Sequence, residues 1–357
     1  MSRTLAITMG DPAGIGPEII VKACRRLAPR IEAGELGLLI VGHRSALAAA
    51  RAVLGDTAEI AEVAEDADWP PLAFLAAGEE RMAVRCGEVS AEAGRFAYLA
   101  VERAVSLARA GRVGGIVTAP LNKEALNLAG HHFAGHTELL ATLTGVKGSV
   151  MMLAHGNMRV SHVSTHVPLA DVPRLLTEAR LRRVIDLTHA ALRDLGFTRP
   201  RIAIAALNPH AGEGGLFGRQ DLDVTAPVVA AYAAAGFDVT GPVPGDTVFV
   251  KLRGGQFDAV VAIYHDQGHI PVKLLGFDID PVTGTWRALS GVNVTLGLPI
   301  IRTSVDHGTA FDIAGTGQAN EESLIEAIDY ALRLAAPADC GISRAGAGGA
   351  TGSAGTP

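Results

Sequence analysis

Cysteine is scarce in this chain. Cys24, Cys86 and Cys340 stand far apart and form no CxxC pair, so neither a disulfide framework nor a thiolate zinc site is expected. That usage fits a reducing cytoplasm. Aromatic residues make up 4% and the formal net charge is −6. With few stacking platforms and no basic excess, the chain is a poor candidate for a general nucleic-acid binder. No apolar run approaches the ~18 residues a spanning helix needs, so no membrane partner is expected. The opening MSRTLAITMGDPAG runs straight into a strand-like segment and lacks the apolar core and cleavage site of a signal peptide. What is present is 357 residues, 48% hydrophobic and 19% charged, enough for a large core in one big domain or two.

Short β-branched runs alternate with Ala/Leu/Arg-rich stretches of helical spacing. Strands are expected at Leu5–Met9, Leu36–Val41, Gly115–Thr118, Arg201–Ala206 and Ala259–Tyr264. Helices are expected at Pro17–Leu27, Ser45–Val53, Ala91–Ala110, Leu181–Leu195, Leu222–Ala235 and Glu321–Leu334. The alternation predicts an α/β fold with a mostly parallel sheet. Ser149–Ala154 and Arg159–Thr165, joined through His155, Gly156, Asn157 and Met158, read instead as a hairpin and an antiparallel patch. Residues 54–90 read as a peripheral connection around Pro70–Pro71. Residues 344–357, Gly/Ala/Ser/Thr-rich, read as a disordered tail.

Three sets of residues carry possible chemistry. The first is the loop from Met9 through Gly10, Asp11 and Gly14 to Glu18. Its helix N-terminus could hold a phosphate or cofactor. Its spacing is not GxGxxG, and no ribose-binding acid follows the next strand, so a tight βα turn is the better reading. Asp11 and Glu18 then read as caps or solvated charges. The second set is His136, His166, His210 and His265, each at or after the end of an apparent strand. Singly each reads as an ordinary polar residue. Four in loops of one α/β architecture make a transition-metal site a candidate, because neutral imidazole is its commonest protein ligand. The third set is Lys273, Asn293 and Arg302, which suit a carboxylate or phosphate, and the run Asp306, His307, Gly308, which could set backbone N–H groups against a nucleotide or simply make a turn.

These segments together resemble one family. MGDPAGIGPEI, APLNKEAL, GHTELLA, STHVPL, NPHAGEGGLFG, YHDQGHIPVK and LGLPIIRTSVDHGTAFDIAGTG are similar, in order from residue 5 to about residue 335, to the 4-hydroxythreonine-4-phosphate dehydrogenase family. GHIPVKLLGF and TAFDIA look closer to the branch acting on 4-phospho-D-threonate and 4-phospho-D-erythronate. The resemblance implies an isocitrate/isopropylmalate-dehydrogenase-like fold of two α/β subdomains with a cleft between them. Residues 1–130 with 260–340 would form the cofactor side, and 131–259 the central domain with the dimer interface. It implies a cytoplasmic homodimer, NAD or NADP as cofactor, and a divalent metal on His166, His210 and His265, the first lent by the partner subunit. Three imidazoles favour Zn, Co, Mn, Ni or Fe over Mg. His136, Thr137, Lys273, Asn293 and Arg302 would bind substrate. Asp246, Asp266 and Lys273 would be catalytic, and Gly10, Asp306, His307 and Gly308 would face the cofactor. The stretch Asp278–Ser290 departs from the family pattern as a surface excursion or lid.

The implied reaction oxidises the C3 hydroxyl of a phosphorylated four-carbon hydroxy acid and then decarboxylates it to dihydroxyacetone phosphate and CO2. Alternatives are 4-hydroxythreonine-4-phosphate oxidation in pyridoxal phosphate biosynthesis, oxidation of an aromatic cis-dihydrodiol, and a metal-dependent hydrolase or lyase.

Overall fold

A computed structural model describes residues 3–78, 83–282, 284 and 286–336. Its strands are β1 Thr4–Thr8, β2 Gly37–Gly42, β3 Ala61–Glu62, β4 Leu72–Ala76, β5 Gly115–Thr118, β6 Val150–His155 and β7 Met158–His162. They continue as β8 Arg201–Ala205, β9 Asp238–Val243, β10 Ala259–Ala262, β11 Phe277–Ile279, β12 Trp286–Leu289, β13 Val292–Leu296 and β14 Arg302–Val305. All but β11 and β12 join one sheet, in the order β3-β4-β2-β1-β5-β14-β13-β6-β7-β10-β8-β9. This is the α/β class the alternation predicts.

The pairing is parallel at both ends of the sheet and antiparallel in the middle. β14 runs parallel to β5, β13 antiparallel to β14 and to β6, and β6 antiparallel to β7. The β6–β7 hairpin turns at Gly156, whose φ of +55° suits a residue without Cβ. β10 pairs with β7 and β8, and so sits with the central part of the chain.

Alternation along the strands sends side chains to two faces. On one face Leu5, Ile7, Leu38 and Ile40 belong to a continuous core with the helices Gly16–Glu32, Glu178–Asp194 and Glu322–Ala335. The other face carries two separate apolar layers. One packs the helix Ala91–Arg109 on Ala6, Leu39 and Ile116. The other packs the helices Gly245–Arg253 and His265–Gly276 on Leu153, Val160, Ala203 and Val260. Between the two layers lies a cleft.

Several expectations need correction. Residues 54–90 supply β3 and β4, and Ala73, Phe74 and Leu75 are buried in the sheet edge. The expected helix Leu222–Ala235 opens with a wide turn at Asp221–Thr225 and becomes regular only over Ala226–Ala234. Asp278–Ser290 contains the β11–β12 hairpin, in which Phe277 faces Leu289. The 344–357 tail lies outside the described residues.

Candidate active site

The cleft holds a cavity of about 1260 Å³ whose floor is the sheet face at its centre. Arg302 and Ser304 of β14, Asn293 of β13 and Met151 of β6 project into it. Their neighbour Thr303 points the other way and donates to Ala327 O in the last helix, 2.8 Å. The polar floor is thus made by alternate residues of two late strands, and not only by the carboxyl-end rim on which the histidines were placed.

Arg302 is the electrostatic centre. Only 3% of the residue is exposed. Its guanidinium donates to Thr295 Oγ1 at 2.9 Å and to Thr118 Oγ1 at 2.7 Å, while Nε is buried without a partner. Burial lowers its pKa to about 9, so the group remains a cation at neutral pH. A buried cation held only by hydroxyls is costly until an anion arrives. Beside it, His136 opens the helix His136–Thr144, with Nε2 buried and unpartnered. Burial, and then Arg302, holds this imidazole well below the usual histidine range, so it is neutral. Asn293 Oδ1 is likewise buried without a partner. Thr137 lines the same wall.

Across the cavity Lys273, from the helix His265–Gly276, lies 3.5 Å from Asp306 Oδ2. Burial raises the Asp306 pKa and Lys273 opposes the rise. Asp306, His307 and Gly308 begin a loop that continues along the cavity to Gln318 and Asn320. A helical stretch is expected soon after this run, yet the next helix starts only at Glu322. The loop is held by the first helix. Glu18, 3% exposed, accepts the backbone N–H groups of Gly315 and, at 2.7 Å, Gly317. Lys22, one turn on, donates to Gly317 O and Ala319 O. Glu18 is therefore neither a cap nor solvated. Asp11 does cap its own turn, accepting from Ala13 N at 2.8 Å.

His166 and His265 come together, with ring centroids 5.5 Å apart. Burial first, then Lys123 and His265, lowers the His166 pKa, which leaves a neutral ring. His265 Nδ1 lies 2.7 Å from Asp266 Oδ1. With that nitrogen occupied, Nε2 is the free one, the arrangement typical of a metal-ligating imidazole and its carboxylate. His265 begins a helix instead of sitting in a loop. His210 is exposed in the turn after β8, with Glu213 Oε2 at 3.9 Å. Among the described residues no three His, Cys, Asp or Glu of one protomer form a metal-sized group. The donor chemistry fits a borderline transition metal, but a single protomer does not assemble all three donors.

Of the assigned residues, Gly10, His210, Asp246, His265 and Asp266 do not line the cavity. Asp246 is exposed in the first turn of Gly245–Arg253. Gly10 is structural here: at φ +68° its Cβ would lie 2.1 Å from Pro120 O. Other residues that use the site were not singled out in the sequence. Thr118 and Thr295 hold Arg302, and Lys123, Gln318 and Asn320 line the cavity. Lys123 stands inside the quoted APLNKEAL segment. Its helix is announced by Asn122, whose side chain accepts from Ala125 N at 2.9 Å.

A polar cleft between two α/β layers, floored by a buried unpaired cation, defines an enzyme for small anionic substrates. The chain belongs to the family described as "Pyridoxal phosphate biosynthetic protein PdxA", which matches residues 36–331. It is 69% identical to a putative D-threonate 4-phosphate dehydrogenase of Bradyrhizobium diazoefficiens, over 96% of this chain and 99% of that one. It is 46% identical to the D-threonate 4-phosphate dehydrogenase of Pectobacterium atrosepticum, over 94% and 100%. The crystal structure of 4-hydroxythreonine-4-phosphate dehydrogenase from Klebsiella pneumoniae superposes with a TM-score of 0.78 at 44% identity, covering 94% of this chain and all of that one. These relatives are dehydrogenases by name, and this chain is an enzyme of that class.

Proposed function

We propose that the enzyme oxidises the C3 hydroxyl of 4-phospho-D-threonate or 4-phospho-D-erythronate with NAD or NADP and a divalent metal, and that the β-keto acid so formed loses CO2 to give dihydroxyacetone phosphate. The observation that carries this reading is Arg302, a buried guanidinium with no carboxylate partner, set among the unpartnered polar atoms of His136 and Asn293. A substrate anion would complete it. The substrate named for the 69%-identical relative is a phosphorylated four-carbon acid, which has anions at both ends.

Arg302 and His136 would bind one anionic end and Asn293 a hydroxyl, which fixes the substrate over the sheet floor. Thr118 and Thr295 orient the guanidinium. Lys273 holds a proton at Nζ beside Asp306, and Asp266 orients His265. The loop braced by Glu18 and Lys22 offers the amides Gln318 and Asn320 with the apolar Ile313, a surface suited to the flat heterocycle of a nucleotide. His166, His210 and His265 would hold the metal, one of them reaching across from a second protomer. When bound, the ion supplies positive charge beside the reacting hydroxyl and the oxidised nicotinamide supplies the hydride acceptor.

A homodimer fits the surface. Ile270 and Leu274, one helical turn apart and 64% and 79% exposed, continue into the exposed Ile279 and Val282 of the β11–β12 hairpin. This apolar stripe begins five residues from His265 and suits a second copy of the chain. No described helix is long and apolar enough to cross a membrane. The free thiols of Cys24 and Cys86 suit the reducing cytoplasm.

The test is a panel of 4-phosphorylated threonate, erythronate and hydroxythreonine with NAD and NADP, followed at 340 nm. Rapid NAD(P)H formation with the first two is expected. Oxidation of hydroxythreonine phosphate alone would move the enzyme to the vitamin branch, and no reduction with any of them would favour a hydrolase or lyase.

A further inference from the structure

The turn that carries His210 is under backbone strain. Five successive residues are left-handed: His210 at φ +51°, Ala211 at +55°, Gly212 at +84°, Glu213 at +43° and Gly214 at +66°. Three of them carry a Cβ and meet the steric penalty of that region. Such a conformation persists only where its surroundings over-determine it. Gly212 has a packing reason, since a Cβ there would lie 2.8 Å from Gly218 O. The exposed His210 and Glu213 bury nothing in return.

Two side chains, Asp221 and Gln267, hold the base of the turn. Asp221 is fully buried, and its carboxylate accepts from Leu207 N, Asn208 N and Asn208 Nδ2, each at 2.9 Å. Asn208 Nδ2 also reaches Gln220 Oε1 at 3.1 Å. One residue earlier, Ala206 O accepts from Gln267 Nε2 at 2.7 Å. Gln267 lies in the first turn of the helix that begins with His265. The base of the His210 turn is therefore fixed to the Asp221–Thr225 turn by Asp221 and to the His265 helix by Gln267.

We propose that Asp221 is a positioning residue whose buried carboxylate locks the left-handed turn so that His210 is presented, already ordered, to the metal. This rests on the reading of His210 as a ligand. The strain is then the cost of displaying an imidazole outward from a short turn.

The test measures metal affinity in the full-length enzyme stripped of metal, by Zn2+ competition with a chromophoric chelator. Asp221→Asn replaces an acceptor facing three N–H donors by an amide, and a 10- to 100-fold weaker Kd is expected, as for other groups that orient a ligand. Glu213→Pro reaches the same end from the surface, since proline cannot adopt a positive φ. It touches no core residue, so its circular dichroism and Tm should stay near wild type while affinity falls below that of Glu213→Ala, which removes the carboxylate beside His210 Nδ1 and leaves the backbone free to keep its turn. His210→Ala is the control. Wild-type affinity in a folded Asp221→Asn or a folded Glu213→Pro, with loss in His210→Ala, overturns the positioning role and leaves the ligand reading standing. Wild-type affinity in His210→Ala removes the ligand reading and this inference with it.

Discussion

Lys273 and Asp306 meet across the cleft, Nζ to Oδ2 at 3.5 Å, and tie the end of the His265–Gly276 helix to the end of β14. Two chain segments from opposite sides of the cavity thus share one ion pair at the proposed reacting centre. Lys273→Met keeps the length of the side chain and removes the charge. We expect kcat/KM to fall by about 100-fold or more, within the range for loss of a positioned proton-carrying group. Steady-state kinetics at saturating cofactor will show it, and a variant within 3-fold of wild type would remove Lys273 from the chemistry.

Arg302 makes an opposite pair of demands on binding and stability. Its buried charge has only hydroxyl partners. Arg302→Met should raise the substrate KM by roughly 10- to 150-fold, the loss of about 1.5–3 kcal/mol for a charge-assisted hydrogen bond. Thermal stability should hold or rise, because a buried unpaired charge is replaced by an apolar side chain of similar length. A melt and a KM measured on the same preparation test both. A fall in Tm with KM unchanged would make Arg302 structural.

Asp11 gives a pH signature. Burial raises its carboxyl from 3.8 to about 6 in the folded chain, and the hydrogen bond from Ala13 only partly offsets this. A raised acid pKa means that the folded state favours the protonated form. Its contribution is therefore most favourable below pH ~4, declines as pH rises through ~6 and levels off above that. The two-unit shift corresponds to about 3 kcal/mol. Asp11→Asn keeps the acceptor for Ala13 N–H and removes the titration. Its Tm should match wild type near pH 4 and exceed it above pH 7. Parallel Tm profiles would show that Asp11 does not titrate in this range.

Glu18 braces the loop that carries Gln318 and Asn320. Glu18→Gln turns one acceptor toward backbone N–H groups into a donor. The cofactor KM should rise by about 10-fold, with kcat changed by less than 2-fold, since the loop is loosened without contact with the reacting carbon. An equal fall in kcat would place the loop at the chemistry instead.

Much of the frame was legible because buried parallel strands read as unbroken apolar runs: Leu38–Val41, Arg201–Ala205 and Ala259–Ala262 were visible for this reason. The hairpin at Gly156 was legible from its turn chemistry. The helix His265–Gly276 was hidden by Gly268 and Pro271, which local propensity reads as breakers. β13 and β14 pair with each other, but their place in the sheet depends on β6 and β5, which are remote in sequence, as in Val292 opposite Ala154 and Arg302 opposite Ile116. The cavity depended on that same non-local pairing. Arg302 and Asn293 could be named as suitable residue types, but their shared sheet face could not be read from spacing. The left-handed turn around His210 gave no signal beyond its glycines.

The late arrival of β13 and β14 at the middle of the sheet also constrains how the molecule is made. A ribosome must deliver some 300 residues before the seam between β5 and β6 can close, and until then two half-sheets expose facing edges. Topology of this kind folds slowly and leaves nascent chains open to wrong pairing. The enzyme's yield in a cell should therefore depend more on chaperone supply than on the stability of the finished protein.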